Sequence, residues 1–168
     1  MRHPWAAALA STLLLLTAGL RPAHAAWPRD AFNGNVPICT SANSQFEPMI
    51  VSDGAGGAII TWYDFRSGTS YDIYAQRISS SGAPLWTANG VALCTATNSQ
   101  LSPRIVSDGA GGAIVTWYDL RSGTNHDIYA QRINAAGVVQ WTANGVPIST
   151  QTSTQQYPRI VADGSGGA

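Results

Sequence analysis

Residues 46–78 read FEPMIVSDGAGGAIITWYDFRSGTSYDIYAQRI, and residues 101–133 read LSPRIVSDGAGGAIVTWYDLRSGTNHDIYAQRI. These stretches belong to two copies of 55 residues, 46–100 and 101–155, which are identical at 36 positions. A third copy begins at Gln156 with QYPRIVADGSGGA. A fixed period of this length is typical of propellers, solenoids and arrays.

Each copy predicts four short strands separated by turns. In the first copy they are strand a (48–52), strand b (58–64), strand c (72–78) and strand d (85–95), the last interrupted at Asn89-Gly90. Strand b is rich in β-branched and aromatic residues, as strands generally are. The glycines at 54, 56 and 57 supply the positive φ that a tight hairpin needs. After the N-terminal region no apolar period of 3.6 residues runs long enough for a helix.

Four antiparallel strands in 55 residues make up a propeller blade, so we predict an all-β chain of β-propeller blades with an incomplete ring. The predicted order is an N-terminal strand (26–45) that closes the ring, blade repeat 1 (46–100), blade repeat 2 (101–155) and the start of a truncated repeat 3 (156–168). A β-solenoid is the alternative, although solenoid coils usually have shorter periods. We expect the chain to be a fragment of a longer protein, or several chains to assemble one ring.

The first 25 residues have the features of a signal peptide. A short positive start, Met1-Arg2-His3, precedes an apolar run over 6–20 and the small-residue cleavage signature Ala23-His24-Ala25. The apolar run is shorter than the roughly 20 residues that span a bilayer. We therefore expect secretion to the periplasm, the cell surface or the medium, with no membrane span after cleavage.

The charge balance gives no reason to expect nucleic acid as a partner. The formal net charge is zero, charged residues make up 11% of the chain, and every basic residue other than His is Arg. Nucleic-acid-binding domains instead carry a marked basic patch or stripe.

One set of motifs carries a family resemblance. In the second copy these are Pro103, Asp108-Gly109, Ile114-Val115-Thr116-Trp117, Arg121-Ser122-Gly123 and Asp127-Ile128-Tyr129. They resemble the blade of TolB-type propellers, and still more the long repeat of secreted bacterial propeller proteins, over nearly all of the mature chain. TolB-type blades are shorter. The resemblance implies a propeller fold and says little about activity, because propellers host many functions.

An aspartate recurs at one position of the repeat, as Asp53, Asp108 and Asp163. We expect each to close an Asx-type turn by accepting backbone N–H groups. Calcium binding is the alternative, but the loop lacks the run of oxygen-bearing side chains that a calcium loop needs. Residues 52–57 are near the Asp-box turn of sialidase-like propellers but out of its register.

Two acids and an arginine flank the loop between strands b and c, and they recur in both copies: Asp64, Arg66 and Asp72, then Asp119, Arg121 and Asp127. We expect each arginine to pair across the hairpin or to bond to loop carbonyls. The alternative is a clamp for an anionic ligand such as sialic acid. That site also needs a Glu partner, and Glu47 is the only Glu in the sequence.

Four tryptophans occupy two repeat positions, and tyrosines follow one of them: Trp62 and Trp117, Trp86 and Trp141, Tyr63 and Tyr118. We expect the tryptophans to pack between blades, with sugar stacking as the alternative. The two tyrosines lie on the opposite face, and no role is assigned to them.

The histidine and the cysteines exclude several kinds of site. His126 is the only His after the signal peptide and stands where the first copy has Tyr71, so we expect a variable loop residue. A single His builds neither a His-based metal cluster nor a Ser-His triad. Cys39 and Cys94 hold equivalent positions, where the next copy has Ser149. Blade spacing exceeds the reach of a disulfide, so we predict free thiols, and a disulfide would argue against a propeller.

The sequence assigns no catalytic, cofactor-binding or metal-ligating residue. Catalysis needs one asymmetric set of groups, whereas copies this similar would repeat any site. We therefore predict a non-catalytic binding or scaffolding module with a protein or carbohydrate ligand, and we expect it to self-associate. The alternatives are a propeller glycosidase with catalytic residues in other blades, and a structural adhesin-like array.

Overall fold

The computed structural model describes residues 34–168, so the predicted signal peptide (1–25) and residues 26–33 lie outside the described part. The described residues form two four-stranded antiparallel sheets and no helix. Sheet 1 contains β1 (Gln45–Ser52), β2 (Ala58–Asp64), β3 (Asp72–Ile78) and β4 (Val91–Cys94). Sheet 2 contains β5 (Gln100–Ser107), β6 (Ala113–Asp119), β7 (Asp127–Ile133) and β8 (Val146–Ser149). In each sheet the strands lie in chain order, each beside the next.

The bounds of the two central strands are confirmed, and those of the outer strands differ from the prediction. Strands β2 and β3 coincide with predicted strands b and c. Strand β1 starts three residues earlier than predicted strand a. In place of predicted strand d (85–95) the structure has the shorter strand β4 (Val91–Cys94), preceded by an isolated bridge between Ile78 and Pro84.

The turn between β1 and β2 shows why the repeat contains so much glycine. Asp53 Oδ1 accepts hydrogen bonds of 2.8 Å from the N–H groups of Ala55 and Gly57. A Cβ at Gly57 would lie 2.1 Å from the carbonyl oxygen of Ile78. Only glycine fits there, so the turn packs directly against the end of β3.

A bulge interrupts the pairing of β1 with β2. Phe46 pairs with Tyr63 and Met49 with Thr61, so Glu47 and Pro48 together oppose a single residue of β2. Glu47 takes a left-handed φ of 45°, and Ser102 in the matching bulge of β5 has 49°. Such backbone is strained for residues other than glycine, and a bulge redirects the side chains beside it.

The hydrophobic core lies between the two sheets. Alternate residues of a strand point to opposite faces; face A of either sheet is the side of Trp62 or Trp117, and face B is the other side. Face B of sheet 1 packs on face A of sheet 2. The buried side chains there are Ile59, Ile73, Ala75, Trp86, Leu93 and Cys94 of unit 1 (residues 46–100), and Ile105, Ala113, Val115, Trp117 and Ile133 of unit 2 (residues 101–155). Each large one contributes roughly 1.5–3 kcal/mol by leaving water.

Two segments that match parts of the repeat form no strand. Of the predicted N-terminal strand (26–45), the described residues 34–44 are irregular and Gln45 belongs to β1; residues 156–168 are irregular as well. Strand β4 pairs with the β3 that precedes it, and β1 pairs with the β2 that follows it. The described residues hold no such partner for either segment, which explains why neither joins a sheet.

Candidate functional site

The first candidate site is a cluster around the carboxylate of Asp119, which is fully buried. Trp117 Nε1 donates to Asp119 Oδ2 at 2.8 Å, and Arg121 Nη2 lies 2.6 Å from the same oxygen. The Arg121 N–H donates to Asp119 Oδ1 at 2.9 Å. Charge-assisted hydrogen bonds of this kind offset the cost of burying a carboxylate.

The cluster extends from Asp119 to both sheets. The Arg121 guanidinium lies over the ring of Tyr129 at 3.7 Å, and its Nη2 lies 2.8 Å from the carbonyl oxygen of Asn144. Cys94, at the end of β4 in sheet 1, places its Sγ 3.3 Å from the same Nη2 and 3.8 Å from Asp119. We call Cys94, Trp117, Asp119, Arg121 and Tyr129 cluster 2. It ties the last strand of sheet 1 to the second and third strands of sheet 2.

An equivalent cluster lies on face A of sheet 1, and we call it cluster 1: Cys39, Trp62, Asp64, Arg66 and Tyr74. Arg66 Nη2 lies 2.6 Å from Asp64 and 3.4 Å from Cys39 Sγ. Burial acts to raise the pKa of Asp64, but the donors from Arg66 and Trp62 outweigh it and hold that pKa below its ordinary value. The irregular segment 34–44 thus places Cys39 where β4 places Cys94.

Of the two contacts predicted for the loop arginines, the structure shows the bond to a loop carbonyl and not the ion pair across the hairpin. Arg66 bonds to a loop carbonyl, that of Asn89 at 2.8 Å, and forms its ion pair with Asp64. It forms none with Asp72 across the hairpin. Burial, with the charge of Asp64, raises the pKa of Asp72 to about 6. In sheet 2 the Asn125 amide donates to Asp127 at 3.2 Å, a bond that Ser70 does not make to Asp72.

The expected Asx-type turns are confirmed. Asp108 accepts the N–H groups of Ala110 and Gly112, and Asp163 those of Ser165 and Gly167, as Asp53 does. Sequence reasoning missed that Arg77 and Arg132 form ion pairs with Asp53 and Asp108, at 2.9 and 3.0 Å. The sequence does contain a signal for these ion pairs, because Arg occupies the same position of strand c in both copies.

A second link joins the sheets at the end opposite the clusters. Arg77 Nη1 and the indole Nε1 of Trp86 both donate to the carbonyl oxygen of Ala135, at 3.1 and 3.0 Å. The Trp86 ring lies against Gly137, where a Cβ would approach it to 2.7 Å. Strand β3 and the turn after it therefore hold sheet 1 to the turn after β7.

Two of the four tryptophans, Trp86 and Trp117, pack between the two sheets, in line with the prediction. Trp62 is buried in a separate cluster on face A of sheet 1, where Ile38 and Cys39 pack against it, and Trp141, the counterpart of Trp86, is more exposed. Both cysteines are free, as predicted. Cys94 is buried, and burial raises the pKa of its thiol to about 12.

The second candidate site is a strip of aromatic rings at the sheet ends that carry the β2–β3 and β6–β7 loops. In unit 1, Phe46 stacks on Tyr63 at 5.5 Å, and Tyr71 lies 5.2 Å from Tyr63 and 4.8 Å from Phe65. Burial raises the pKa of Tyr63, and the nearby carboxylate of Glu47 adds to this rise.

A second group of rings lies at the matching end of unit 2 and in residues 156–168. Tyr118 lies 5.0 Å from His126 and 6.3 Å from Tyr157, and its hydroxyl is 3.1 Å from Ser102 Oγ. We call Phe46, Tyr63, Phe65, Tyr71, Tyr118, His126 and Tyr157 the aromatic strip. The sequence contains each ring, but it does not show which of the rings meet.

Within residues 34–168, no group of three or more His, Cys, Asp or Glu side chains is placed to hold a metal ion. The same range contains no helix of the length and apolarity that crossing a membrane requires.

Comparison of the chain with protein families, with curated proteins and with solved structures finds no match in any of the three. The resemblance to TolB-type blades therefore rests on the motifs quoted above, and the function has to be argued from the contacts of this chain.

Proposed function

We propose that this protein is a secreted, non-catalytic β-propeller repeat module that binds a ligand or forms a scaffold at the cell surface or outside the cell. One observation carries the proposal: clusters 1 and 2 contain the same residue types with nearly the same distances. Cluster 2 links sheet 1 to sheet 2, and cluster 1 links the irregular segment 34–44 to sheet 1. Their chemistry is thus used for assembly in both copies, as expected of a repeat protein built from nearest-neighbour contacts.

The strand arrangement supports the propeller part of the proposal. Each sheet is a four-stranded antiparallel meander, and no strand of one sheet pairs with a strand of the other. The sheets instead meet face to face through side chains. Solenoid coils pair their strands from coil to coil, whereas propeller blades pack in this face-to-face manner.

The aromatic strip is the binding surface in this proposal. The residues of the strip differ between the two units, whereas those of the clusters are the same. Phe46, Phe65 and Tyr71 of unit 1 correspond in the repeat to Leu, Leu and His of unit 2. Phe46 and Tyr157 are among the exposed large side chains. Aromatic rings with nearby hydroxyl groups suit a carbohydrate or a protein ligand, because one end of the side chain is apolar and the other is polar.

The test measures retention of the secreted protein on insoluble polysaccharides and on an array of soluble glycans and surface proteins. Phe46→Ser and Tyr157→Ser should abolish retention while leaving the fold intact, since both side chains are exposed. Leu85→Ser is the matched control, because Leu85 is an apolar residue outside the strip whose exposure lies between those of Phe46 and Tyr157. Retention insensitive to both strip variants would contradict the strip as binding surface. Release of reducing sugar would favour the glycosidase alternative.

A further inference from the structure

Face B of sheet 2 carries the same kinds of residue as face B of sheet 1, which contacts sheet 2. In sheet 2 this face points away from sheet 1. The side chains are Thr116, Ala130, Arg132, Trp141, Ile148 and Ser149. They correspond to Thr61, Ala75, Arg77, Trp86, Leu93 and Cys94 of unit 1. Between them and residues 158–168 lies a groove of about 570 Å³.

Exposure shows that this face is only partly covered, since Thr116 and Ala130 are buried but Trp141 and Ile148 are not. Trp86 is 8% exposed and its counterpart Trp141 is 36% exposed. Leu93 is 2% exposed and its counterpart Ile148 is 62% exposed. The local sequence is nearly the same in each case, so the difference comes from the neighbour. Sheet 2 covers face B of sheet 1, whereas among the described residues it is the irregular segment 156–168 that lies on face B of sheet 2.

The contact between the sheets also defines what can cover face B of sheet 2. Trp86 needs the glycine at 137 and the carbonyl of Ala135, and Cys94 meets the Asp119–Arg121 pair. The occupant must therefore present a glycine turn, a turn carbonyl and a buried Asp–Arg pair in the same arrangement. Sheet 1 of this chain presents that set on its face A, through Gly82, the carbonyl of Ser80, and the Asp64–Arg66 pair.

Face A of sheet 1 is itself incompletely covered. Ile50 is largely exposed, whereas its counterpart Ile105 is buried against sheet 1. A groove of about 190 Å³ separates Ile60, Trp62 and Pro48 from Ile38 and Cys39 of the irregular segment. The two open faces are thus the two halves of the interface that the chain already forms internally.

From this match we propose that face B of sheet 2 docks face A of sheet 1 of a second copy of the chain, head to tail. Ser149 then takes the place of Cys39 beside Asp64, and residues 48–52 of β1 in the second copy take the place of residues 158–162, which leaves Tyr157 in the aromatic strip. Both displaced segments pair in no strand, so their release breaks no backbone ladder. The contact is heterologous, since different faces meet, and it propagates into rings or filaments.

Sedimentation velocity of the secreted chain over a range of concentrations tests this. The chain should form a series of oligomers. Ile148→Asp on one face and Ile50→Asp on the other should each weaken association by about thirtyfold or more, the effect of a hot-spot side chain. Both side chains are exposed, so neither change disturbs the sheet that carries it. Leu85→Asp, at an exposed position outside both faces, should associate like the unaltered chain.

A mixture of the two variants gives the sharpest result. Each retains one intact face, so the mixture should form a discrete dimer and nothing larger. A monomeric unaltered chain would overturn the proposal, as would a mixture that stays monomeric or an Ile50→Asp variant that associates normally. The proposal rests on the contact between the sheets, so loss of glycan or protein binding in the strip variants leaves it standing.

Discussion

Sheets 1 and 2 have the same strands at the same offsets, yet identical residues in them have different surroundings. Ile50 of β1 is 64% exposed and Ile105 of β5 is 8% exposed. Ile105 lies on face A of sheet 2, which sheet 1 covers. Ile50 lies on face A of sheet 1, where the irregular segment 34–44 is the one neighbour among the described residues. The neighbouring sheet, and not the residue's own strand, decides whether this isoleucine is buried.

This difference indicates which contacts make the two sheets unequal in stability. The hydrogen-bonded ladder is the same in both sheets, so what distinguishes them is the side-chain contact that each makes with its neighbour. In repeat proteins stability is the sum of intrinsic unit terms and interface terms. Substitutions at matching positions should therefore have unequal effects, larger at the shared interface than at the open faces.

The largest expected effect comes from removing the tryptophan of cluster 2. Trp117→Ala should lower the free energy of unfolding by about 3–5 kcal/mol, because it opens a cavity between the sheets and removes a donor from Asp119. Trp62→Ala makes the same change on face A of sheet 1, where segment 34–44, and no second sheet of the described part, packs against the ring. It should cost at least about 1 kcal/mol less. Urea unfolding of both variants gives the comparison, and equal losses would contradict it.

A smaller effect is expected where glycine meets a ring. Gly137 has a φ of 80°, and a Cβ there would lie 2.7 Å from Trp86. Gly137→Ala should destabilise by about 1–3 kcal/mol, through backbone strain and displacement of the indole. At Gly82 the atom met is a methyl carbon of Val36, in a segment that forms no strand and can move.

Thermal unfolding of Gly137→Ala and Gly82→Ala should therefore rank the first as more destabilised. Gly54→Ala serves as the control for strain alone, since its φ is 77° and nothing lies within 4 Å of the added carbon. If Gly137→Ala unfolds like Gly54→Ala, the indole of Trp86 does not pack on this turn.

The next expected effect is a pH dependence of stability that arises from Asp72 of sheet 1 and not from its counterpart Asp127 of sheet 2. The pKa of Asp72 is raised to about 6 by burial and the charge of Asp64. Between about pH 4 and pH 6 the folded state then binds more protons than the unfolded chain, so stability falls as pH rises through this window. Asp72→Asn should remove that fall and stabilise the protein at neutral pH by on the order of 1 kcal/mol.

Asp127→Asn is the matched control for this prediction. Asp127 already accepts a hydrogen bond from Asn125, so its replacement should give a smaller gain. Unfolding free energies measured at several pH values decide the matter. A fall across the same window in the Asp72→Asn variant would assign it to another group.

The smallest perturbation is chemical labelling of the two thiols, which leaves the fold unchanged. Cys94 is buried between the sheets with its pKa raised to about 12, while Cys39 is partly exposed in segment 34–44. Because the thiolate is the reactive form, a thiol reagent should modify Cys39 in the native protein and Cys94 only on unfolding. Mass spectrometry of native and denatured samples reads this out, and native labelling of Cys94 would contradict the burial.

The central strands were predictable because their signals are local. Strand β2 is a run of β-branched and aromatic residues between glycine turns, and β3 alternates regularly. Strand d was predicted too long for a reason that no local pattern shows. The buried Gln76 side chain accepts from the N–H of Trp86 and donates to the carbonyl of Thr87, at 3.0 and 2.9 Å. One side chain thus replaces the strand pairing that this stretch would otherwise need.

The rest of the candidate site depends on contacts far apart in the chain. The Asp53–Arg77 pair forms because the β2–β3 hairpin brings Ala58 opposite Ile78, which places the turn beside the end of β3. Cluster 2 forms because the side chain of Cys94, in sheet 1, contacts Asp119 and Arg121 of unit 2. The sequence shows that these residues recur, but only the packing of one sheet on the next shows which of them meet.

The measurement that tests the face-to-face packing most directly is a set of nuclear Overhauser effects from the two equivalent tryptophans. The indole ring of Trp86 should show contacts to the α-protons of Gly137, across the sheets, and Trp141 should show no such contact within one molecule. If Trp86 and Trp141 instead behave alike, with no contact from Trp86 to residues 135–137, the two sheets do not pack as described and the account of their unequal stability fails.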